Sequence, residues 1–267
     1  MMQLETLVPQ IAQHLLARGK TRPFVLGVSG GQGVGKSTFC KRLSQYLNDA
    51  GTPTLSLSLD DFYLSREARE TLARDIHPLC KTRGVPGTHN VAQLRETLQA
   101  LRSGEDGMDW PLPVFSKSLD DVLPPAQWLA VMRQPEVILL EGWCVGARAS
   151  CISPNPQTDW ERAHDSAGVW KQWSATQAAA YEDIWAACDS LMLMRQDNFE
   201  AVIDSRWAQE KDNAAASGIW QFKTREQVAE FCAHYESWTL GLWNALPPLC
   251  DFVIGRDADF TYRHLLD

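Results

Sequence analysis

The sequence is poor in the features that would place a protein in a membrane, on nucleic acid or in an oxidising compartment. No apolar run approaches the length needed to span a bilayer, and the opening MMQLETLVPQ lacks the basic stretch and apolar core of a signal peptide. Positive charge is in short supply: 25 Lys and Arg stand against 33 Asp and Glu, for a net charge of −8. Proteins that bind nucleic acid or anionic lipid usually present a basic surface, so neither partner is expected. An anionic small ligand stays open, because screening over about 8 Å lets a local positive cluster outweigh the total. The seven cysteines include no C-x-x-C pair. HPLC (77–80) and CVGARASC (144–151) come nearest to metal-ligand spacing, and neither is followed by a matching pair. Reduced thiols in a cytoplasmic protein are therefore expected.

What is present is the composition of a globular chain: 267 residues, 45% hydrophobic and 22% charged. That length supports one large domain or two small ones, and no compositional break marks a boundary, so one domain over 1–267 is expected. Leu4, Leu7, Val8, Ile11 and Leu15 recur at helical spacing and predict an opening amphipathic helix. Five short apolar runs then read as strands, at 24–28, 54–59, 136–140, 190–194 and 251–255. Helical stretches fall at 35–50, 90–102, 171–188, 197–213 and 224–244. This alternation predicts an α/β fold, a five-stranded parallel sheet covered by helices on both faces in three layers. Two stretches read as loops, 102–113 and 147–168, the second long enough to fold over a ligand. Of the eleven tryptophans, Trp170, Trp173 and Trp185 fall in the helix after that loop and are expected to pack a helical layer.

The segment FVLGVSGGQGVGKSTFC (24–40) crowds glycines between a strand and a helix. Glycine loses the most backbone entropy on folding, so such a cluster is costly unless the backbone must do what other residues cannot. Gly30-x-x-x-x-Gly35-Lys36-Ser37 satisfies the phosphate-binding-loop pattern in the strand–helix context its mechanism needs. Gly30, Gly31, Gln32, Gly33, Val34 and Gly35 would curl backbone N–H groups around a polyphosphate. Lys36, Ser37 and Thr38 open a helix whose N-terminus favours negative charge. Lys36 would reach the β and γ phosphates of a nucleoside triphosphate, and Ser37 would ligate Mg²⁺. The dinucleotide pattern G-x-G-x-x-G fails in both frames, ending on Lys36 or Thr38.

Acidic residues follow two strands. SLDDFY (58–63) puts Asp60 and Asp61 where open α/β sheets bind ligands, and a carboxylate there can take the proton of an attacking hydroxyl. VILLEGW puts Glu141 at the usual acidic position for the metal or its waters. A regulatory GTPase is disfavoured, since no Asn is followed by Lys, as a guanine signature requires.

GVSGGQGVGKST, LDDFY, HPLCKTRGVPGTHN, PVFSKS, EGW and RWAQE occur in that order. Together they resemble the plant-type D-glycerate 3-kinases and their ATP-binding relatives, within the P-loop kinases related to uridine kinase, pantothenate kinase and phosphoribulokinase. The resemblance implies Asp60 as catalytic base, with Lys36 and Arg206 completing the catalytic set and Arg206 carried on a helical lid near 196–220. It implies an acceptor segment near 63–125, and Asp61, Tyr63, Arg83, His89 and Lys117 as the residues that bind substrate. Two positions depart from the family pattern: Asn90 replaces the aspartate of GTHD, and Ser116 the aspartate of FDKS. Asn caps helices about as well as Asp, and Gln93 completes a capping box.

RDIHPLCKTRG concentrates Arg74, His77, Lys81 and Arg83 in an otherwise acidic chain. The planar fork of arginine suits carboxylate or phosphate, so a small hydroxy acid is a reasonable acceptor. D-glycerate is the acceptor expected first. A nucleoside or pantothenate-like acceptor is the alternative, as is an ATP-binding protein without kinase activity. Monomer and homodimer are both open.

Overall fold

Side chains of a strand alternate between two faces, and here both faces are apolar, as a sheet buried between helical layers requires. In the computed structural model, which describes residues 2–18, 23–104 and 110–265, the elements run as follows. They are α1 (Leu4–Arg18), β1 (Phe24–Gly30), α2 (Lys36–Asp49), β2 (Thr54–Ser58), α3 (Arg66–Asp75), α4 (Val91–Ser103), β3 (Trp110–Leu112), β4 (Phe115–Ser116), β5 (Asp121–Val122), β6 (Leu129–Val131), β7 (Val137–Gly142), α5 (Asp159–His164), α6 (Val169–Ala178), α7 (Glu182–Ala186), β8 (Ser190–Arg195), α8 (Phe199–Ser217), α9 (Arg225–Ala233), α10 (Glu236–Ala245), β9 (Phe252–Arg256) and β10 (Tyr262–His264). Leu26, Val28, Leu139 and Met192 join Leu7, Ile11 and Leu15 of α1 and Phe39 and Leu43 of α2 in one core. Val25, Ile138, Leu140 and Leu193 face the other, with Leu94 of α4, Trp170 of α6, Trp185 of α7 and Trp238 of α10. Each fully buried Leu or Ile contributes about 1.5–3 kcal/mol of transfer free energy.

The sheet order is β10-β9-β8-β1-β7-β2. The five expected strands are present and mutually parallel. The sixth, β10, pairs antiparallel to β9 at the edge, with Tyr262 opposite Arg256; its three residues are too few to show alternation in sequence. The chain passes from β1 outward to β2 on one side of the sheet and later from β7 across β1 to β8 on the other. That makes the carboxyl ends around β1 the switch point at which open α/β sheets bind ligands. Gly30, Ser58, Glu141, Arg195 and Arg256 lie at or beside those ends.

Several local readings change. The stretch 224–244 is two helices, broken where the Tyr235 hydroxyl donates to the Arg83 carbonyl at 2.8 Å. The helix expected over 171–188 is α6 and α7 joined by a 3₁₀ turn at Ala179–Tyr181. The segment 147–168 carries structure of its own, a 3₁₀ turn at Ala149–Cys151 and α5, which starts on a capping box between Thr158 and Glu161. Glu161 and Asp165 are both buried, and Glu161 pairs with the fully buried Lys171 at 2.7 Å. Within 102–113, residues 110–112 form β3, paired with β6, while 105–109 lie outside the described residues. Among the described residues no helix is long and apolar enough to cross a membrane.

Candidate functional site

The phosphate loop joins β1 to α2. Gly33 and Gly35 have φ of 71° and 97°, the left-handed region that side chains avoid. At Gly33 space forbids a side chain too, since a Cβ would sit 2.8 Å from Cβ of Ser205 on α8. Val34 turns its side chain into the core and leaves only its backbone to the loop. The Lys36 ammonium donates back to the Gly31 carbonyl at 3.1 Å. The Ser37 hydroxyl donates to Glu141 Oε1 at 2.8 Å. These are two hard oxygen donors side by side, and among the described residues no group of three or more His, Cys, Asp and Glu converges as a closed metal cage. Such a pair fits Mg²⁺, which commonly takes one or two protein ligands and completes its shell with phosphate oxygens and water.

Facing this loop, the 3₁₀ turn Leu59–Phe62 carries the two aspartates. Asp60 Oδ2 lies 2.8 Å from the Lys117 ammonium, and Asp60 Oδ1 accepts from the Tyr63 hydroxyl at 2.9 Å. Burial alone would raise the Asp60 carboxyl. The charge and hydrogen bond of Lys117, the Tyr63 hydroxyl and the charge of Lys36 together outweigh it and hold Asp60 below its ordinary value. Asp61 goes the other way: burial and the neighbouring Asp60 charge raise it, against a hydrogen bond from the Phe115 amide. That bond, at 3.1 Å, ties the β4–β5 hairpin to the end of β2. Two adjacent carboxylates are thus pushed apart, one kept ionised and one used as a structural acceptor.

The residues expected to bind the acceptor lie near one another. The His89 ring stacks on Tyr63, centroids 4.6 Å apart, and its Nδ1 lies 2.9 Å from the Tyr181 hydroxyl. Burial lowers His89 to about 4. The Arg83 guanidinium lies over the rings of Phe115 and Tyr63, at 5.3 and 5.9 Å, and is paired with Asp120. Asp120 sits in the left-handed region at φ 52° and is clamped also by the buried Arg69 at 3.1 Å. Asn90 caps α4 through its Oδ1, which accepts from the Gln93 amide at 3.1 Å, so the departure at 90 keeps the cap.

The basic run does not converge as expected. Arg74 bonds Thr71 on its own helix, Lys81 lies 3.8 Å from Glu70, and His77 lies 3.8 Å from buried Asp165. Arg83 alone of the four turns to the Tyr63–Phe115 side. Arg206 has its backbone N 3.1 Å from where a Cβ of Gly33 would be, so α8 rests on the phosphate loop. Its guanidinium turns to Glu210 at 3.0 Å and Gln221 at 3.3 Å, between the rings of Phe222 and Phe231.

Four neighbours escaped the sequence reading. Gln196 donates to the Gln32 carbonyl at 3.2 Å, and Arg256 donates to the Gly33 carbonyl at 2.8 Å and to the Ser205 hydroxyl at 2.9 Å. Both follow predicted strands, and the reasoning that selected Glu141 from its strand end would have selected them. Asp120 and Tyr181 carry no comparable local signal.

A mostly parallel sheet with a glycine-bearing phosphate loop at its switch point, faced by a Ser–Glu pair and an ionised Asp, defines a P-loop kinase. The chain belongs to the family of ATP-dependent P-loop kinases that includes plant-type D-glycerate 3-kinase and its relatives. The uncharacterized kinase mug58 of Schizosaccharomyces pombe (strain 972 / ATCC 24843) is 32% identical over 248 residues, 88% of this chain and 87% of that protein. The chloroplastic D-glycerate 3-kinase of Arabidopsis thaliana is 32% identical over 131 residues, 46% of this chain and 29% of that protein. A pantothenate kinase of Leifsonia xyli subsp. xyli (strain CTCB07) is 33% identical over 129 residues, 48% of this chain and 38% of that protein. The chain thus spans less than half the length of these last two. The solved YGR205w protein superposes with a TM-score of 0.76 at 23% identity, covering 99% of this chain and 98% of that one. A D-glycerate 3-kinase from Cryptococcus neoformans var. grubii does so with 0.71 at 22%, covering 97% and 99%. Both show the fold. No protein-family model matches the chain.

Proposed function

We propose that this protein transfers the γ-phosphoryl group of ATP to a hydroxyl of a small hydroxy acid, D-glycerate or a close analogue. The observation that carries the reading is Asp60, held ionised by Lys117 at 2.8 Å and Tyr63 at 2.9 Å and within the field of Lys36. A carboxylate so placed takes the proton of the acceptor hydroxyl as its oxygen bonds to the γ-phosphorus and the bond to the β-phosphate bridging oxygen breaks. Backbone amides of residues 30–38 and the Lys36 ammonium hold the phosphates. Ser37 and Glu141 would hold Mg²⁺, which would supply neutralisation of charge on the phosphate oxygens. The largely exposed Lys117 can swing from Asp60 to the acceptor carboxylate, and Arg83 offers its fork beside it. Arg206 lies on the helix that touches the loop, and its guanidinium would exchange Glu210 for the transferring phosphate. We assign 63–125 to the acceptor, 196–220 to the lid, and the whole to one kinase domain.

A second reading, an acceptor with an apolar arm as pantothenate has, draws on a cavity of about 640 Å³ lined by Leu79, Thr82, Phe222, Phe231 and His234. Thr82 precedes Arg83, and Phe231 packs on Tyr235, whose hydroxyl holds the Arg83 carbonyl.

ADP formation from Mg·ATP, measured with D-glycerate, other small hydroxy acids, nucleosides and pantothenate, tests both. Turnover with D-glycerate or another hydroxy acid is expected. Preference for pantothenate or a nucleoside would move the acceptor to the second class, and ATP binding without turnover on any of them would remove the kinase reading.

A further inference from the structure

We propose that Tyr181 holds His89 in the neutral tautomer that carries its hydrogen on Nε2, and that this hydrogen is a donor to an oxygen of the phosphoryl acceptor. Tyr181 is then a positioning residue for acceptor binding. The proposal rests on the reading of this site as the acceptor site.

His89 is held by the backbone before its ring is considered. It forms an antiparallel bridge with Tyr63. The Asn90 amide donates to the Phe62 carbonyl at 2.6 Å, and the Leu64 amide donates to the Thr88 carbonyl at 2.9 Å. Residues 88–90 are thereby zipped to the segment that carries Asp60, and stacking on Tyr63 sets the ring plane.

The hydrogen-bond directions then follow from counting donors. The Gly87 amide can only donate, and it reaches the Tyr181 oxygen at 3.0 Å. The other partner of that hydroxyl is His89 Nδ1, at 2.9 Å. If Nδ1 carried a hydrogen and donated it, the Tyr181 oxygen would accept twice and its own hydrogen would be left unpaired in a buried place. Leaving a buried polar group unsatisfied costs about 1–3 kcal/mol, and Tyr181 is 1% exposed. With Nδ1–H both the Tyr181 hydrogen and the Nε2 lone pair go unpaired, whereas Tyr181 donating to a bare Nδ1 leaves only the Nε2 hydrogen without a partner, and this better-paired arrangement places the imidazole hydrogen on Nε2.

Nε2 is buried and has no hydrogen-bond partner. Burial keeps the ring neutral at physiological pH. A neutral Nε2–H offers a directed hydrogen bond to a carboxylate or hydroxyl oxygen and brings no charge to compete with Lys117. It also cannot act as a base, because the only free lone pair on the ring is taken by Tyr181. Proton removal is left to Asp60, and His89 discriminates for an acceptor that presents an oxygen lone pair at that point.

The test has a structural and a kinetic arm. In protein labelled with ¹⁵N-histidine, the wild-type His89 is expected to show the Nε2–H tautomer alone, and Tyr181→Phe a mixture. With D-glycerate as the probe, Tyr181→Phe is expected to raise the acceptor KM about tenfold, the scale of one lost ordering bond, while KM for ATP stays within about twofold. His89→Gln, whose amide can donate from near the Nε2 position, should retain more acceptor affinity than His89→Leu. An Nδ1–H tautomer in the wild type overturns the proposal, as does a Tyr181→Phe enzyme with unchanged D-glycerate KM. If the wild type phosphorylates no hydroxy acid, the acceptor reading fails and the donor role with it; the tautomer, measured in the free protein, is decided separately.

Discussion

The Arg256 guanidinium donates to the Gly33 carbonyl at 2.8 Å, so the end of β9 holds the phosphate loop in place. The same nitrogen donates to Ser205 at 2.9 Å, on the helix where a Cβ of Gly33 would collide. Three elements meet at one guanidinium. Arg256→Ala leaves the Gly33 carbonyl and the Ser205 hydroxyl without that donor, a loss of about 1–3 kcal/mol. ATP affinity measured by calorimetry is expected to fall about tenfold or more. Gly33→Ala, which combines φ of 71° with the clash, is expected to abolish ATP binding in a folded protein. Unchanged affinity in both variants would detach the loop from phosphate binding.

Asp60→Asn keeps the shape and removes the carboxylate proposed as the base. Turnover should fall by about 10²–10⁴-fold with ATP affinity preserved. Parallel loss of ATP binding would make Asp60 a structural residue instead.

Lys117 holds Asp60 ionised against burial. In Lys117→Met the burial effect stands with less opposition, so the Asp60 carboxyl rises and the acid limb of the kcat/KM profile moves to higher pH. A limb that stays in place, or moves down, would show that Asp60 is not the group titrating there.

Arg206 is paired with Glu210, which is buried and also accepts from the Gln221 and Phe222 amides. Arg206→Ala strands that carboxylate, so the informative variant is Arg206→Lys with thermal melting alongside. Turnover is expected to fall by about 10²–10³-fold at near-normal ATP affinity. An effect confined to ATP affinity would take Arg206 out of phosphoryl transfer.

Two histidines are buried in the neutral state, His89 lowered by burial from 6.5 to about 4 and His234 to about 3. The unfolded chain takes up both protons as pH drops through about 6.5, and the folded one does not until about 4 and 3. Stability is therefore fully present above pH 6.5 and declines as pH falls toward 4, by about 2–3 kcal/mol per ring at pH 4.5. Urea midpoints should be flat from pH 7 to 8 and fall steadily below 6.5. A midpoint independent of pH down to 4.5 would contradict the burial of both rings.

Much of this was legible from residues 24–40 and the strand ends. The five parallel strands announced themselves by apolar runs, and the phosphate loop by spacing that only a backbone-lined anion site requires. Asp60 and Glu141 were marked by following those runs. Less legible was the acceptor side: four basic residues within ten positions suggested a cluster, yet three of them found partners elsewhere. The break between α9 and α10 was equally hidden, because Tyr235 bonds to a carbonyl 152 residues away.

The sequence by itself determined the strand–loop–helix that grips phosphate, since alternation, glycine backbone freedom and helix starts are local properties of a few consecutive residues. Tertiary structure alone decided that Tyr181 meets His89, 92 positions away, and that Arg256 meets Gly33, 223 positions away. The physical reason is that a buried donor must take whichever acceptor the packed core brings within about 3 Å, and that choice exists only once the sheet and its helices have assembled.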